Sequence, residues 1–325
     1  MKAESEIIQD PFHPGEQRMQ AKAGKRHKLE TIGRRVIRPY MPEQHREFFQ
    51  NLPFLLVGSV AGDGRPWASV LFGTPGFVHA PEATVLEIHA QPADGDPLAG
   101  NLHAGAALGF LGLEFHSRRR NRMNGKIIDM DDNGSMRIRV DQSFGNCPKY
   151  IQARNWQWRT RNGPGPAAPT TASHLLKPMR RIVENADTFF IASAYEAADH
   201  GATASAGVDV SHRGGRRGFV QVRDEHHLLF PDYSGNFFYN TLGNLLENPR
   251  AGLLFMDFEN GHILQLSGET AIIEDDRVQG FPGAERLLEV RIQEALLSRH
   301  RMPLCWSAAV ESPFLPAEEP QNSRP

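Results

Sequence analysis

The sequence predicts a mainly β protein: two tandem small antiparallel barrels preceded by an N-terminal helical extension. Three observations predict it. Short apolar runs bounded by turn residues recur along most of the chain, the same runs return in the same order in its second half, and a charged stretch with helical periodicity precedes them.

The elements follow in chain order. From Gly15 to Arg38, "GEQRMQAKAGKRHKLETIGRRVIR" is charged with sparse apolar positions at Met19, Leu29, Ile32 and Val36, the pattern of one or two amphipathic surface helices that Pro39 and Pro42 bring to an end. The helical stretch "PEQHREFFQNL" then leads into "PFLLVGSVAGDGRPWASVLFG", which reads as a buried strand, a turn at Asp63-Gly64 and a second strand. Further on, "GFLGLEFHSRRRNRMNGKII" (109–128) lies over "GLLFMDFENGHILQLSGETAI" (252–272). Glu114-Phe115 falls against Asp257-Phe258, and Gly125 and Gly268 each stand ten residues after the Phe. Upstream, "FLLVGSV" (54–60) matches "FFIASAY" (189–195), and "GFV" recurs at 76–78 and 218–220. Each unit reads strand, turn, strand, strand, short helix, strand, strand. Closing such strands into a barrel removes the exposed edges of an open sheet. The alternative is two unrelated β domains.

The resulting plan is an extension over 1–45, a first barrel over 46–158, a linker over 159–180, a second barrel over 181–310 and a tail over 311–325. "RTRNGPGPAAPTTAS" (159–173) has the composition of a flexible connector, and the tail that of disorder.

Bulk properties narrow the function. A chain of 325 residues is long enough for two domains of about 100–200 residues each. With a formal net charge of −2 and a pI near 6.7, it has no overall field to draw it to nucleic acid or an anionic membrane. "NWQWRTRN" (155–162) mixes aromatic and basic residues, but no RNA-binding motif accompanies it. No apolar run approaches the roughly 20 residues that span a bilayer, and the N-terminus lacks the apolar core of a signal peptide, so a cytoplasmic location is expected. Cys147 and Cys305 have no CxxC or Cys/His spacing, and the fourteen histidines show no HExxH pattern, so neither a disulfide framework nor a metal is expected.

Two stretches carry candidate chemistry. In "GNFFYNTLGNLLENPRAGLLFMDF" (235–258), "TLGNLLENP" fits a two-turn helix with Asn240 or Thr241 as its cap and Pro249 as its stop. The unpaired N–H groups at such a start suit a phosphate, although a plain capped helix has the same sequence. In "GVDVSHRGGRRGFV" (207–220), Arg213 can contact phosphate and two glycines allow close approach of a ligand, where the bland reading is a charged hairpin turn. "HSRRRNR" (116–122) reads either as a solvated turn or as a dock for an acidic redox partner or a nicotinamide-nucleotide phosphate. Cys147 reads either as a redox thiol or as a packed side chain.

Taken in order, "VDVSHRGGRRGFV", "LLFPDYSGNFFYNTLGNLLENPRAGLLFMDF" and "LQLSGETAII" resemble the pyridoxamine 5′-phosphate oxidase-like family of FMN-binding split barrels. The resemblance covers most of 185–275 and, more loosely, 48–156. It implies FMN contacts at Ser211, Arg213 and Gly214, then at Asn236, Phe238, Asn240, Thr241, Leu242 and Asn244. "VDQSFGNCPKYIQARNW" (140–156) resembles the segment that closes the barrel in a subgroup of that family, which adds Cys147, Lys149 and Tyr150. The family's namesake enzyme has a cation-rich helix start. Here that start reads Tyr239-Asn240-Thr241-Leu242, which leaves the phosphate to Arg213, hydroxyls and backbone N–H groups and argues against pyridoxamine phosphate as substrate.

The resemblance implies two tandem split barrels and an FMN-dependent oxidoreductase with the flavin between them, reduced by NAD(P)H or by a reductase partner. No residue stands out as an essential acid or base, in keeping with redox chemistry resident in the cofactor. A homodimer with exchanged halves fits the same pattern. The alternative function is a carrier that binds flavin, deazaflavin or haem without turnover.

Overall fold

The computed structural model describes residues 10–131, 133–160, 167–196 and 205–316. Three helices come first: α1 (Pro14–Lys22), α2 (Arg26–Val36) and α3 (Glu43–Gln50). The first barrel contains β1 (Phe54–Val60), β2 (Pro66–Phe72), β3 (Val78–Glu82), β4 (Val85–Ile88), α4 (Leu98–Asn101), β5 (Ala107–Glu114), β6 (Arg119–Met130) and β7 (Met136–Gly145). After β8 (Trp156–Trp158), β9 (Thr170–Ala172) and α5 (Lys177–Asn185) comes the second: β10 (Thr188–Tyr195), β11 (Gly207–Gly214), β12 (Gln221–Val222), β13 (His227–Tyr233), α6 (Asn240–Glu247), β14 (Arg250–Met256), β15 (Ile263–Ile273) and β16 (Ala284–Ser298), before β17 (Leu304–Trp306).

The two sheets are built alike. The first runs β2-β1-β5-β6-β7-β4-β3 and the second β11-β10-β14-β15-β16-β13-β12, the same order element for element, with every pairing antiparallel. Each unit therefore holds four strands, a helix and three strands, one strand more on each side of the helix than the sequence pattern indicates. Gly125 and Gly268 hold equivalent places at a bulge, where a Cβ would lie 2.1 Å from Arg139 O and 2.3 Å from Arg291 O respectively.

One match made from sequence is out of register. Gly58 pairs with Gly109, whereas Ala192 pairs with Gly252, so Gly58 corresponds to Ala192 and "FLLVGSV" to residues 188–194 rather than 189–195. Burial agrees: Leu55 and Val57 face the first barrel's core and Phe189 and Ile191 the second's, while Phe54, Leu56, Phe190 and Ala192 join a third cluster between the barrels. Apolar residues on both faces of these strands hide the alternation that would have set the register.

That third cluster, with Leu111, Leu113, Val210 and Leu254, fuses the barrels, and glycines let their backbones meet. A Cβ on Gly109 would lie 2.3 Å from Val208 O, and one on the equivalent Gly252 would lie 2.5 Å from Pro66 O. These two contacts are related by pseudo-twofold symmetry, each pairing the fifth strand of one unit with the second strand of the other.

Three further expectations change. The start of α6 is capped by neither Asn240 nor Thr241: its N-cap is Tyr239, in the left-handed region at φ 63°, and no side chain caps it. Within the expected connector, β9 pairs with β16, while 161–166 lie outside the described residues. Of the expected tail, Ser312 is buried and its N–H donates to Gln152 Oε1 at 2.8 Å, whereas 317–325 lie outside the described residues.

The glycine contacts make a test. Gly109→Ala is expected to lose about 1–3 kcal/mol in urea unfolding, because backbone rather than a movable side chain blocks the methyl. Gly100→Ala in α4, with nothing within 4 Å, serves as the control and should lose none.

Candidate functional site

A cleft opens where the barrels meet beside the start of α6. Because β6 alternates, Arg120 and Arg122 of the first barrel face it together. Asn146 and Cys147 follow from the same barrel, and the second barrel supplies Ser211, Arg213, Asp232, Asn236 and the α6 start at Asn240, Thr241 and Leu242. The cavity volume of the cleft is about 100 Å³. With a water's share at about 30 Å³, this is room for about three waters or one phosphate. Counting the mouth open to solvent, the whole cleft measures about 650 Å³.

Arg122 is the bridge across it. Only 3% exposed, it donates to Asp209 Oδ1 at 2.7 Å and Val210 O at 3.1 Å, and also to Ser211 Oγ. Ser211 Oγ in turn takes the Thr241 hydroxyl at 3.0 Å. Arg213 Nη1 pairs with Asp232 at 2.8 Å, and Asp232 is shared with Arg286, also at 2.8 Å. Burial, together with the charges of Arg122 and Arg213, brings Arg120 down to about 10, and Glu285 lines the cleft beside Asp232. Among the described residues, Arg122 Nε, Arg213 Nε and Asn146 Nδ2 are buried N–H donors with no acceptor. Such groups are costly to leave unmade, and an anionic oxygen is the partner that would satisfy them. The residues therefore fit a phosphate-bearing ligand whose larger part lies in the open mouth.

The sequence candidates divide into three groups. Ser211, Arg213, Asn236, Asn240, Thr241, Leu242 and Cys147 share the cleft. Lys149, Tyr150 and Gly214 line an adjoining hollow, reached through Arg120 and Arg213. Tyr150, itself left-handed at φ 65°, donates to Ser234 O at 3.0 Å. A Cβ on Gly214 would lie 2.0 Å from Tyr150 O, so the close approach this glycine permits is made by the chain itself. Phe238 packs among Phe12, Leu29 and Phe144, and Asn244 is buried, donating to Ser193 Oγ at 3.0 Å and Asp209 Oδ2 at 2.9 Å.

Arg120, Arg122, Asn146 and Asp232 are cleft residues that the candidate set lacks, and Asp209 stands behind them on Arg122. "HSRRRNR" is a turn only over its first residues. From Arg119 it is strand, and the alternation of Arg120 with Arg122 was the available signal.

The helical extension covers the other side of α6. α1 crosses it where a Cβ on Gly15 would lie 2.2 Å from Gly243 O. Asn240 donates to Glu16, a carboxyl that burial, with Asp209 close by, holds well above its usual range. His13 accepts the Gly15 N–H at 3.2 Å and stacks on Tyr195; burial lowers it to about 4.

Elsewhere, among the described residues, His79, Glu87 and His89 stand close enough to share a metal ion, but Arg137 already takes Glu87 Oε1 at 3.1 Å. A larger hollow of about 730 Å³ lies beside Trp306, where Arg154 and Arg217 are paired with Asp187 and Glu259.

Neither a family model nor a curated protein matches this chain. Solved structures do. A putative pyridoxamine 5′-phosphate oxidase from Lactobacillus delbrueckii is 15% identical over 40% of this chain and 98% of its own, with a TM-score of 0.31. An FMN-binding protein from Syntrophomonas wolfei is 12% identical over 36% and 86%, with a TM-score of 0.26. HutZ, the haem storage protein of Vibrio cholerae, is 14% identical over 43% and 98%, with a TM-score of 0.24. At such scores the likeness carries no argument, and the fold rests on the two strand orders above.

The buried imidazole has a pH consequence. A group lowered from 6.5 to about 4 contributes stability that is present above 6.5 and lost as pH falls toward 4. His13→Asn keeps a capping side chain and removes the titration, so the loss of unfolding free energy between pH 6.5 and 4.5, read by urea unfolding, should shrink in the variant by up to about 1.4 kcal/mol for each pH step of one. His212, likewise lowered by burial, leaves part of the fall in place.

Proposed function

We propose that this chain is an FMN-dependent oxidoreductase of the pyridoxamine-phosphate-oxidase-like type, with one flavin between its two barrels and NAD(P)H or a reductase partner as electron source. One observation carries the reading: three arginines, two with unpartnered Nε–H groups, gather at a cleft made by both units beside a helix start. The motifs at Ser211–Gly214 and Asn236–Asn244 support it by resemblance.

When bound, FMN supplies the hydride and electron chemistry. This chain's residues bind and orient it. Arg122 and Arg213 hold the phosphate against Ser211, the N–H groups opening α6 complete the cradle, and Asp209 and Asp232 fix the two guanidiniums in place. The same strand orders in both units point to an internal duplication, so that one chain provides the interface.

The second reading is a haem carrier. One observation favours it: His212, buried at the cleft and held neutral by a lowered pKa, has an Nε2 without a partner, the state in which imidazole ligates iron.

Protein mixed with FMN and desalted should keep the flavin's visible bands. Arg213→Leu and Arg122→Gln should each lose at least tenfold in affinity, a change of about 1.4 kcal/mol. Bleaching by NAD(P)H, alone or with an added flavin reductase, marks an oxidoreductase. Stable yellow protein that no reductant bleaches marks a carrier, and a Soret band with haem but no uptake of FMN sinks the flavin reading.

A further inference from the structure

The pseudo-twofold axis that generates the arginine cleft must also generate a second one, on the other side of the barrel interface. Strand register locates it. Ser69 corresponds to Ser211, Leu71 to Arg213, Ile263 to Arg120 and Gln265 to Arg122. The cross-barrel contacts are reproduced. Arg122 reaches from the first barrel to Val210 O and Ser211 Oγ, and Gln265 reaches from the second to Ala68 O and Ser69 Oγ, both at 3.0 Å.

All three guanidiniums are missing at this second place, and Leu71 and Ile263 are buried core residues. In their stead stands Asp96, 8% exposed. A single oxygen, Asp96 Oδ1, accepts from Ser69 Oγ at 2.6 Å, Leu98 N at 2.9 Å and Gln265 Nε2 at 3.3 Å. These donors correspond to the Ser211 hydroxyl, the Thr241 N–H in the first turn of α6, and Arg122. Asn101 of α4 donates to Ser59 Oγ as Asn244 of α6 does to Ser193 Oγ, which lays Leu98 on Thr241 and makes Tyr239, without a carboxylate, the equivalent of Asp96.

We propose that the Asp96 carboxylate is a built-in substitute for a ligand's anionic group: it closes the second cleft and leaves the chain with one ligand site, whose anion sits between Ser211, Arg122 and the start of α6. The inference deepens the proposed function and rests on it only for the identity of the ligand. The molecule carries its own control, since the same donors are answered by an internal oxyanion on one side and converge on an anion-sized space on the other.

The test uses the full chain and two probes, FMN and formate. Titration with FMN should saturate at one equivalent per chain. Asp96→Ala should lower Tm by roughly 5 °C, since it strands the Ser69 hydroxyl and the Leu98 N–H, while Gln265 keeps Ala68 O, and tens of millimolar formate, the missing carboxylate as a free ion, should restore most of the loss while leaving the parent unmoved. Asp96→Asn keeps the packing without the charge; it should lose Tm and gain nothing from formate. Two equivalents of FMN, an Asp96→Asn variant as stable as the parent, or a folded Asp96→Ala variant indifferent to formate would each overturn the proposal. Formate rescue without any FMN binding would leave the proposal standing and remove the flavin reading instead.

Discussion

Everything else in the molecule depends on the backbone contact between the two barrels. Gly109 against Val208 and Gly252 against Pro66 bring strands of different units closer than any side chain would permit. The apolar cluster around Phe54, Leu56, Phe190 and Leu254 can then close without a gap. With the barrels this near, a side chain from β6 or β15 reaches the second strand of the opposite unit. Arg122 and Gln265 both do so, and each cleft at the interface is made by such a reach.

Charge then separates two places that geometry makes alike. At one, Arg122 pairs with Asp209 and Arg213 with Asp232, Arg120 stands beside them, and buried N–H groups are left over. At the other, one aspartate meets only neutral donors and has no excess to recruit a ligand. Fixed donors at a poorly solvated site bind an anion more strongly than the same donors in water, because no solvent must be reorganised around it. The first place keeps that capacity, and the second has used it internally.

The helical extension is part of this arrangement. α1 lies on α6 with glycine against backbone, and buried Glu16 takes the Asn240 amide. The carboxyl thus occupies an Asn240 side-chain donor that a bare helix start would have left open. The extension falls outside the family resemblance because its contribution is to packing rather than to a motif.

The amino-acid sequence determined what depends on local chemistry and short spacing: the β class, the two-unit plan, the helices of the extension, and most of the second barrel's share of the cleft, from Ser211 and Arg213 to Thr241. Tertiary structure decided what depends on partners far away in the chain. The register of β1 against β10 is set by which face meets the other barrel, and fully apolar strands carry no alternation to reveal it. Gly214 looks ligand-facing in sequence, but Tyr150 O fills its space. Arg120 and Arg122, in a run that reads either as a solvated turn or as a dock for a redox partner or a nucleotide phosphate, enter the cleft only because the second barrel stands opposite them. Asp96, unmarked by any motif, acquires a role through a symmetry axis that exists only once the two units are packed together.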